Sequence, residues 1–265
     1  MVSKQQIKLV SINTWKCDGE YRKRIALLAK QLAVLKPDII ACQECFVSQE
    51  TNTLKFLAEK LGMNKSYLPG RKKKRFFEGK VMDSESGLGV LSVYPIVQTG
   101  FISLPCVPDD NDRKVQQVEV TLPGGTKMAV TNVHLTHLGN ANGLRNAQAE
   151  ALATVVRSDK TYPHHLICGD FNAVIDSTEI KTFRQLSRAT DCYVAGQGTE
   201  PRYSLLDPFK AGKRICVDHI FSIPLQGENS YPEFINSGIV LDGADPWTGL
   251  YASDHFGICT TLVIQ

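Results

Sequence analysis

The sequence predicts an α/β protein whose strands form two mixed sheets packed together. Three observations point there. The chain opens with a strand–helix–strand unit, and four strand-like runs then follow one another with no helix between them. Apolar strand runs and helical periodicities alternate through the rest. No Pro/Gly/Ser-rich linker, internal repeat or composition break divides the chain, so a single domain over residues 1–265 is expected.

The apolar, β-branched run at 7–12 suits a buried strand. Residues 20–36 carry Ile25, Leu28, Leu32 and Leu35 at helical spacing, and Lys36-Pro37 ends that helix. A short strand at 38–43 runs to Glu44 at its carboxyl end, and a helix at 49–61 stops at Gly62. Residues 68–86 read as a long polar loop. Strands follow at 87–93, 96–104, 115–122 and 127–133, the last two joined by Pro123-Gly124-Gly125. With no crossover helix between them, these four are expected to be antiparallel. A helix fits 143–157, with Leu144, Ala147, Ala151, Leu152 and Val155 near one face. A short strand at 165–168 leads into Gly169-Asp170-Phe171-Asn172, and later strands fit 215–223, 234–241 and 256–264.

The formal net charge of +3 is near balance, so the surface as a whole exerts no strong pull on nucleic acid. Positive charge is instead concentrated at residues 71–75, beside Phe76 and Phe77. No secretory apolar region opens the chain, and no apolar stretch approaches the roughly 18 residues of a membrane span. A soluble, cytoplasmic protein without a transmembrane segment is expected. Several of the eight cysteines sit in apolar runs and read as buried free thiols. Cys42 and Cys45 form a lone CxxC with no second pair to complete a zinc site.

Polar residues interrupt the apolar runs at their ends: Asn13, Glu44, His134, Asp170, Asn172, Asp218, Asp254 and His255. A buried carboxylate is costly unless it is paired, hydrogen-bonded or bound to a cation. Singly, each has a bland alternative, because Asp and Asn often cap turns and end strands. Together, at the ends of so many runs, they point to a common rim. Carboxylate and amide oxygens suit a hard cation, Mg2+ or Mn2+. Histidine beside such an ion can bond a phosphate oxygen or move a proton near neutral pH. His219 falls on the opposite strand face from Asp218 and reads as structural. His137, His164 and His165 read as exposed or structural.

Six strings in order resemble the endonuclease/exonuclease/phosphatase superfamily. They are Ser11-Ile12-Asn13-Thr14-Trp15, Pro37-Asp38-Ile39-Ile40 leading to Gln43-Glu44, Gly87-Leu88-Gly89-Val90-Leu91-Ser92, Asn132-Val133-His134-Leu135, Gly169-Asp170-Phe171-Asn172, and the pair Val217-Asp218-His219-Ile220 with Ser253-Asp254-His255-Phe256. The resemblance implies a four-layer α/β sandwich, two mixed, mostly antiparallel sheets face to face with helices outside. It implies divalent-metal-dependent hydrolysis of phosphoester bonds. Glu44 would be the principal metal ligand, helped by Asn13 and Asp254. Asp170 would position or activate the attacking water, and Asn172 would hold a phosphate oxygen. His255, oriented by Asp218, would act on the phosphate or as general base. His134 would contact the phosphate or protonate the leaving oxygen. A catalytically inactive binding module for phosphorylated lipid or nucleic acid is the competing reading, but such a module would be expected to lose these groups.

Substrate choice is thinly written. Apurinic-site endonucleases of the superfamily usually place a lysine soon after the Gln-Glu pair, where this chain has Cys45-Phe46, and a tyrosine where it has His134. The histidine resembles the pancreatic-deoxyribonuclease and neutral-sphingomyelinase branches. Residues 86–96 lean toward the latter, as does Pro208-Phe209-Lys210 leading through Arg214 to Asp218. Nucleic acid, phospholipid and small phosphoesters all stay open. Arg71 and Arg75 are candidates to grip a polyanion or rest on an anionic membrane surface, the bland reading being a solvated loop. Arg145, at the start of the helix after His134, is expected near the rim, where it would meet substrate or simply cap a salt bridge. Oligomeric state is not legible.

Overall fold

The run at 7–12 becomes β1 (Gln5–Asn13), the inner strand around which the first sheet is built. The computed structural model describes residues 4–159, 161–206, 214–225 and 231–264. After β1 the chain forms α1 (Tyr21–Leu35), β2 (Ile39–Ser48), α2 (Thr53–Leu61), β3 (Asn64–Phe77) and β4 (Lys80–Ser92). Next come β5 (Ile96–Ser103), β6 (Lys114–Thr121), β7 (Lys127–His134), α3 (Asn142–Ser158) and β8 (His164–Asp170). The last elements are α4 (Thr178–Ser187), β9 (Thr190–Asp191), α5 (Cys192–Ala195), β10 (Asp218–Ser222), β11 (Glu233–Val240) and β12 (Gly257–Ile264). The strands make two six-stranded mixed sheets, ordered β11-β12-β1-β2-β4-β3 and β5-β6-β7-β8-β10-β9.

Three apolar layers hold four structural layers together. Between the sheets lie Leu9, Ile39 and Val90 from the first and Val130, Leu166 and Ile220 from the second. Ile25, Leu28 and Leu32 of α1 and Leu54 and Leu57 of α2 cover the outside of the first sheet. Leu152 and Val156 of α3 and Ile180 and Phe183 of α4 cover the outside of the second. Local signals set the helix ends. Lys36 closes α1 in the left-handed region, its amide bonded to the Leu32 carbonyl, and Pro37 follows. Asn52 caps α2 by accepting from the Lys55 amide, and Gly62 ends it.

The segment 68–86 is not a loop but most of a long β3–β4 hairpin. Its strands carry polar side chains on both faces, so no apolar alternation marks them, yet the backbone ladder needs none. Glu78 and Gly79, at φ +46° and +87°, make a two-residue turn that matches the right-handed twist of the strands. The run at 87–93 is also not part of one antiparallel set with the next three. It pairs with β2 and β3 in the first sheet, while β5, β6 and β7 form the antiparallel meander of the second. Helix α4 was not anticipated; its signals are the Ser177 cap and the apolar pair Ile180 and Phe183. Residues 208–210 lie outside the described residues. All eight cysteines are free thiols, every one but Cys106 buried. Among the described residues no helix is long and apolar enough to cross a membrane.

Candidate active site

The two sheets bring their strand ends to one rim. β1 and β2 run parallel with Asn13 beside Gln43, and β7 and β8 run parallel with His134 beside Asp170. β10 enters antiparallel to β8, setting Asp218 opposite Asp170. The segment before β12 supplies Asp254 and His255. Asn13, Glu44, His134, Asp170, Asn172, Asp254 and His255 thereby line one cleft of ≈ 310 Å³. Asp218 stands behind His255, fully buried.

Glu44 does not end β2, as its position in the apolar run implied. The strand continues to Ser48, and Glu44 sits in a bulge where Gln43 and Glu44 together oppose Leu88. A bulge re-aims the side chain at its apex, and here the backbone turns left-handed at φ +55°. The Glu44 carboxylate pairs with the Lys16 ammonium at 3.0 Å.

Hydrogen bonds fix the remaining groups. Asn13 donates Nδ2 to Asp170 Oδ2 at 3.1 Å, tying the first sheet to the second, and its Oδ1 accepts from the Trp15 amide at 3.0 Å. Asp170 Oδ1 accepts from the Asn172 amide at 2.8 Å, while Asn172 Nδ2 donates to the Leu135 carbonyl at 3.1 Å. His255 Nδ1 meets Asp218 Oδ2 at 2.8 Å, which leaves Nε2 facing Asp170 Oδ2 at 3.9 Å. His134 Nε2 lies 3.6 Å from the same oxygen. Ser253 Oγ donates to the Asn13 carbonyl at 2.7 Å and accepts the His255 amide at 3.2 Å, anchoring the last segment.

These surroundings set different charge states. Burial, then the neighbouring Asp218, raises the Asp170 carboxyl to about 7. Burial works to lower His255, but Asp218, its hydrogen bond, Asp170 and Asp254 together push it up to about 10. Burial, with Arg113 and Lys16 nearby, holds His134 well below the usual imidazole range. Burial raises Asp254, and the nearby Glu44 charge adds to the rise. One imidazole is therefore cationic and the other neutral, on either side of a carboxyl that titrates near neutrality.

Two groupings suit a cation. Among the described residues, Asp170, Asp218 and His255 offer three ligand atoms within 4.8 Å of one another. The proton shared by His255 and Asp218 already satisfies that pair. The Glu44–Asp254–Asn13 side offers oxygens, the donor set of a hard cation, and there the Lys16 ammonium pairs with Glu44.

Arg71 and Arg75 line the cleft wall, as does Lys73 between them. Arg71 donates to the Asp109 carbonyl, and Arg75 to Ser84 and Ser86. Arg145 does not reach the rim. Its guanidinium is buried against Glu179, the Thr136 and Leu138 carbonyls and Asn142, so it braces the segment after β7. Lys16 and Arg113 were missed. Lys16 had only its charge as a signal. Arg113 holds Asp110 through Nε, the His134 carbonyl and His137 Nδ1, a role nothing in the sequence marks. His137 is exposed within the cleft. His219 packs on the far face of β10, its Nε2 2.8 Å from the Ala173 carbonyl.

Packed mixed sheets with carboxylates and imidazoles gathered at their shared end define an α/β sandwich with an acidic, histidine-bearing cleft. A family model described as "Endonuclease/Exonuclease/phosphatase family" matches residues 10–255, and the chain belongs to that family, whose members hydrolyse phosphoester bonds. Among solved structures it is similar to an endonuclease/exonuclease/phosphatase family protein from Bacteroides thetaiotaomicron, at 17% identity and TM-score 0.73, covering 99% of each chain. It is also similar to D. rerio TDP2 complexed with a single-strand DNA product, at 18% identity and TM-score 0.72, covering 97% of this chain and 98% of that one. A third is the mannosyl-6-phosphatase of B. thetaiotaomicron, at 19% identity and TM-score 0.69, covering 97% of this chain and 100% of that one. No curated protein matched.

Proposed function

We propose that this protein is a Mg2+- or Mn2+-dependent phosphodiesterase. The observation that carries the reading is the convergence of Asn13, Glu44, Asp254, Asp170, His134 and His255 on one cleft. Glu44, Asp254 and Asn13 Oδ1 would hold the cation. Bound there, it supplies charge neutralisation at a non-bridging phosphate oxygen.

The chain's own groups divide the remaining work. Asp170, raised toward neutrality and pinned through Oδ1, accepts the proton of an attacking water. His255, kept cationic and oriented by Asp218, meets charge building on the phosphate through Nε2. His134, kept neutral, contacts a phosphate oxygen or the departing one. Asn172 retains a second amide hydrogen beyond its bond to Leu135 for a phosphate oxygen. Arg71, Lys73 and Arg75, on alternate residues of β3, line the wall where the rest of an anionic substrate would lie.

The test is a metal-supplemented screen over nucleic acid, phospholipid and small phosphoesters. Glu44→Ala should abolish metal-dependent turnover of an activated phosphodiester with the fold intact. Asp170→Asn and His255→Ala should each lower kcat by roughly 10²-fold or more, the scale of general acid–base and electrostatic groups. Wild-type rates in these variants would place the chemistry elsewhere.

A further inference from the structure

The loop after β1 delivers a cation to the floor of the cleft. Trp15 and Lys16 both have left-handed backbones, at φ +55° and +40°. Such a conformation is uncommon for a non-glycine residue and is kept only where the surroundings enforce it. The enforcing group is Arg24, whose guanidinium is almost wholly buried and has no carboxylate partner among its bonds. It donates to the carbonyls of Thr14, Trp15, Lys16, Asp18 and Ala252 and stacks over the Trp15 ring at 4.6 Å. The same side chain thus clamps the Lys16 loop and the segment leading to Asp254.

What this clamp presents is the Lys16 ammonium, 3.0 Å from Glu44 Oε1, with a third of the side chain exposed to the cleft. Its charge also reaches Asp254 and His134. Without a counter-charge, Glu44 would face Asp254 as one carboxylate against another. A divalent ion held by Glu44 would need the same carboxylate that Lys16 occupies, so it and the ammonium would repel each other and compete for it.

We propose that Lys16 is an internal counter-cation that a divalent metal displaces from Glu44, freeing its ammonium to bind the non-bridging oxygens of the substrate phosphate. The inference rests on the reading of Glu44 as a metal ligand. It makes Lys16 a phosphate-binding residue that engages once the metal is in place, and it explains why a strained loop is clamped beside an acidic floor.

The test uses Mn2+ alone, with the free ion counted by electron paramagnetic resonance, on the wild-type protein, Lys16→Met and Lys16→Gln. Thermal unfolding checks that both variants fold. Each should bind Mn2+ about three- to tenfold more tightly, the scale of removing a partly exposed ion pair and its like charge. Inorganic phosphate should then bind the Mn2+-loaded variants about fivefold or more weakly than the loaded wild type. Unchanged or weaker Mn2+ binding in both variants, or unchanged phosphate binding, overturns the proposal. Glu44→Gln separates the two levels: wild-type Mn2+ affinity in that variant sinks the ligand reading itself, whereas lost affinity there with no gain in the Lys16 variants sinks only the role of Lys16.

Discussion

Asp170, Asp218 and Asp254 share one side chain and do three things, because what surrounds each differs. Asp218 spends Oδ2 on His255 in full burial, Asp170 shares its oxygens among Asn13, Asn172 and two imidazoles, and Asp254 faces Glu44 at the cleft. Histidines diverge in the same way. His255 is pushed up by carboxylates that pair with it, whereas burial drives His165 and His219 down to about 4, the carboxylates that act on them being too weakly coupled to offset it. The His165 imidazole meets the Thr131 hydroxyl through Nε2, at 2.8 Å. The linkage follows from proton counting. Between about pH 4 and 6.5 the unfolded chain binds a proton at each such histidine that the folded chain does not, so their contribution is complete above that window and lost as pH falls through it. Each histidine should cost about 2 kcal/mol between pH 7 and pH 5. Asp170, with its raised pKa, works in the opposite direction over part of that range, so the informative quantity is a difference. His165→Gln should lose about 2 kcal/mol less than wild type when urea unfolding is repeated at both pH values. Parallel losses in the two proteins would mean that His165 is protonated in the fold.

Among the elements, β8 shows how closely strand and site are coupled. Gly169 precedes Asp170 at φ +145°, and a Cβ there would lie 2.0 Å from the Val133 carbonyl oxygen of β7. Only glycine lets the two parallel strands close up while turning Asp170 into the cleft. Gly169→Ala should destabilise the protein by about 3 kcal/mol, from strain plus overpacking, and lower kcat further than that loss explains. Unfolding and turnover at wild-type levels would show that the strands can part without cost. Elements were legible where side-chain pattern and burial coincide: β1, α1, β7 and β12 follow their apolar periodicity closely. They were illegible where the backbone alone decides. The β3–β4 hairpin reads as a loop because its polar strands leave the ladder no sequence signature. Glu44 reads as a strand end because a bulge is written in backbone angles, not in residue type. The rim residues were legible as a set, since polar groups closing apolar runs need partners, but Lys16 and Arg113 carry charges that look like any surface charge. Arg145 shows the converse: of substrate contact and a salt bridge, the two roles its place in the sequence allowed, the fold takes the second, with Glu179 and backbone carbonyls beneath the rim.

At the scale of the whole molecule, the site depends on holding two sheets at one spacing, and apolar packing alone specifies spacing loosely. The inter-sheet layer is apolar along most of its length, yet beneath the cleft it contains Asn132 and Gln43, both fully buried. Gln43 Nε2 donates to Asn132 Oδ1 at 2.7 Å, and Asn132 Nδ2 donates to the Cys42 and Gly89 carbonyls at 2.9 and 3.0 Å. These bonds run from β7 to the two strands flanking the bulge that presents Glu44, so they fix the Glu44 carboxylate relative to His134 and Asp170. A buried amide network of this kind adds directional specificity where apolar contacts do not. Asn132→Leu would take from the Gln43 amide its shortest acceptor, leaving it the Ser11 hydroxyl and the Ala41 carbonyl at 3.3 Å, and would remove the side-chain donor to two carbonyls, and should cost about 3 kcal/mol. Gln43→Met alone strands the Asn132 oxygen and should cost about 1–2 kcal/mol. Because both single changes break the same 2.7 Å bond, the double variant should cost less than the sum, by about 1 kcal/mol or more. Denaturant unfolding of the four proteins gives that coupling energy, and Mn2+ affinity should fall in both single variants because Glu44 is adjacent to the bridge. Additive energies with unaltered Mn2+ affinity would mean that the sheets are registered by their apolar layer and that the amides are passengers.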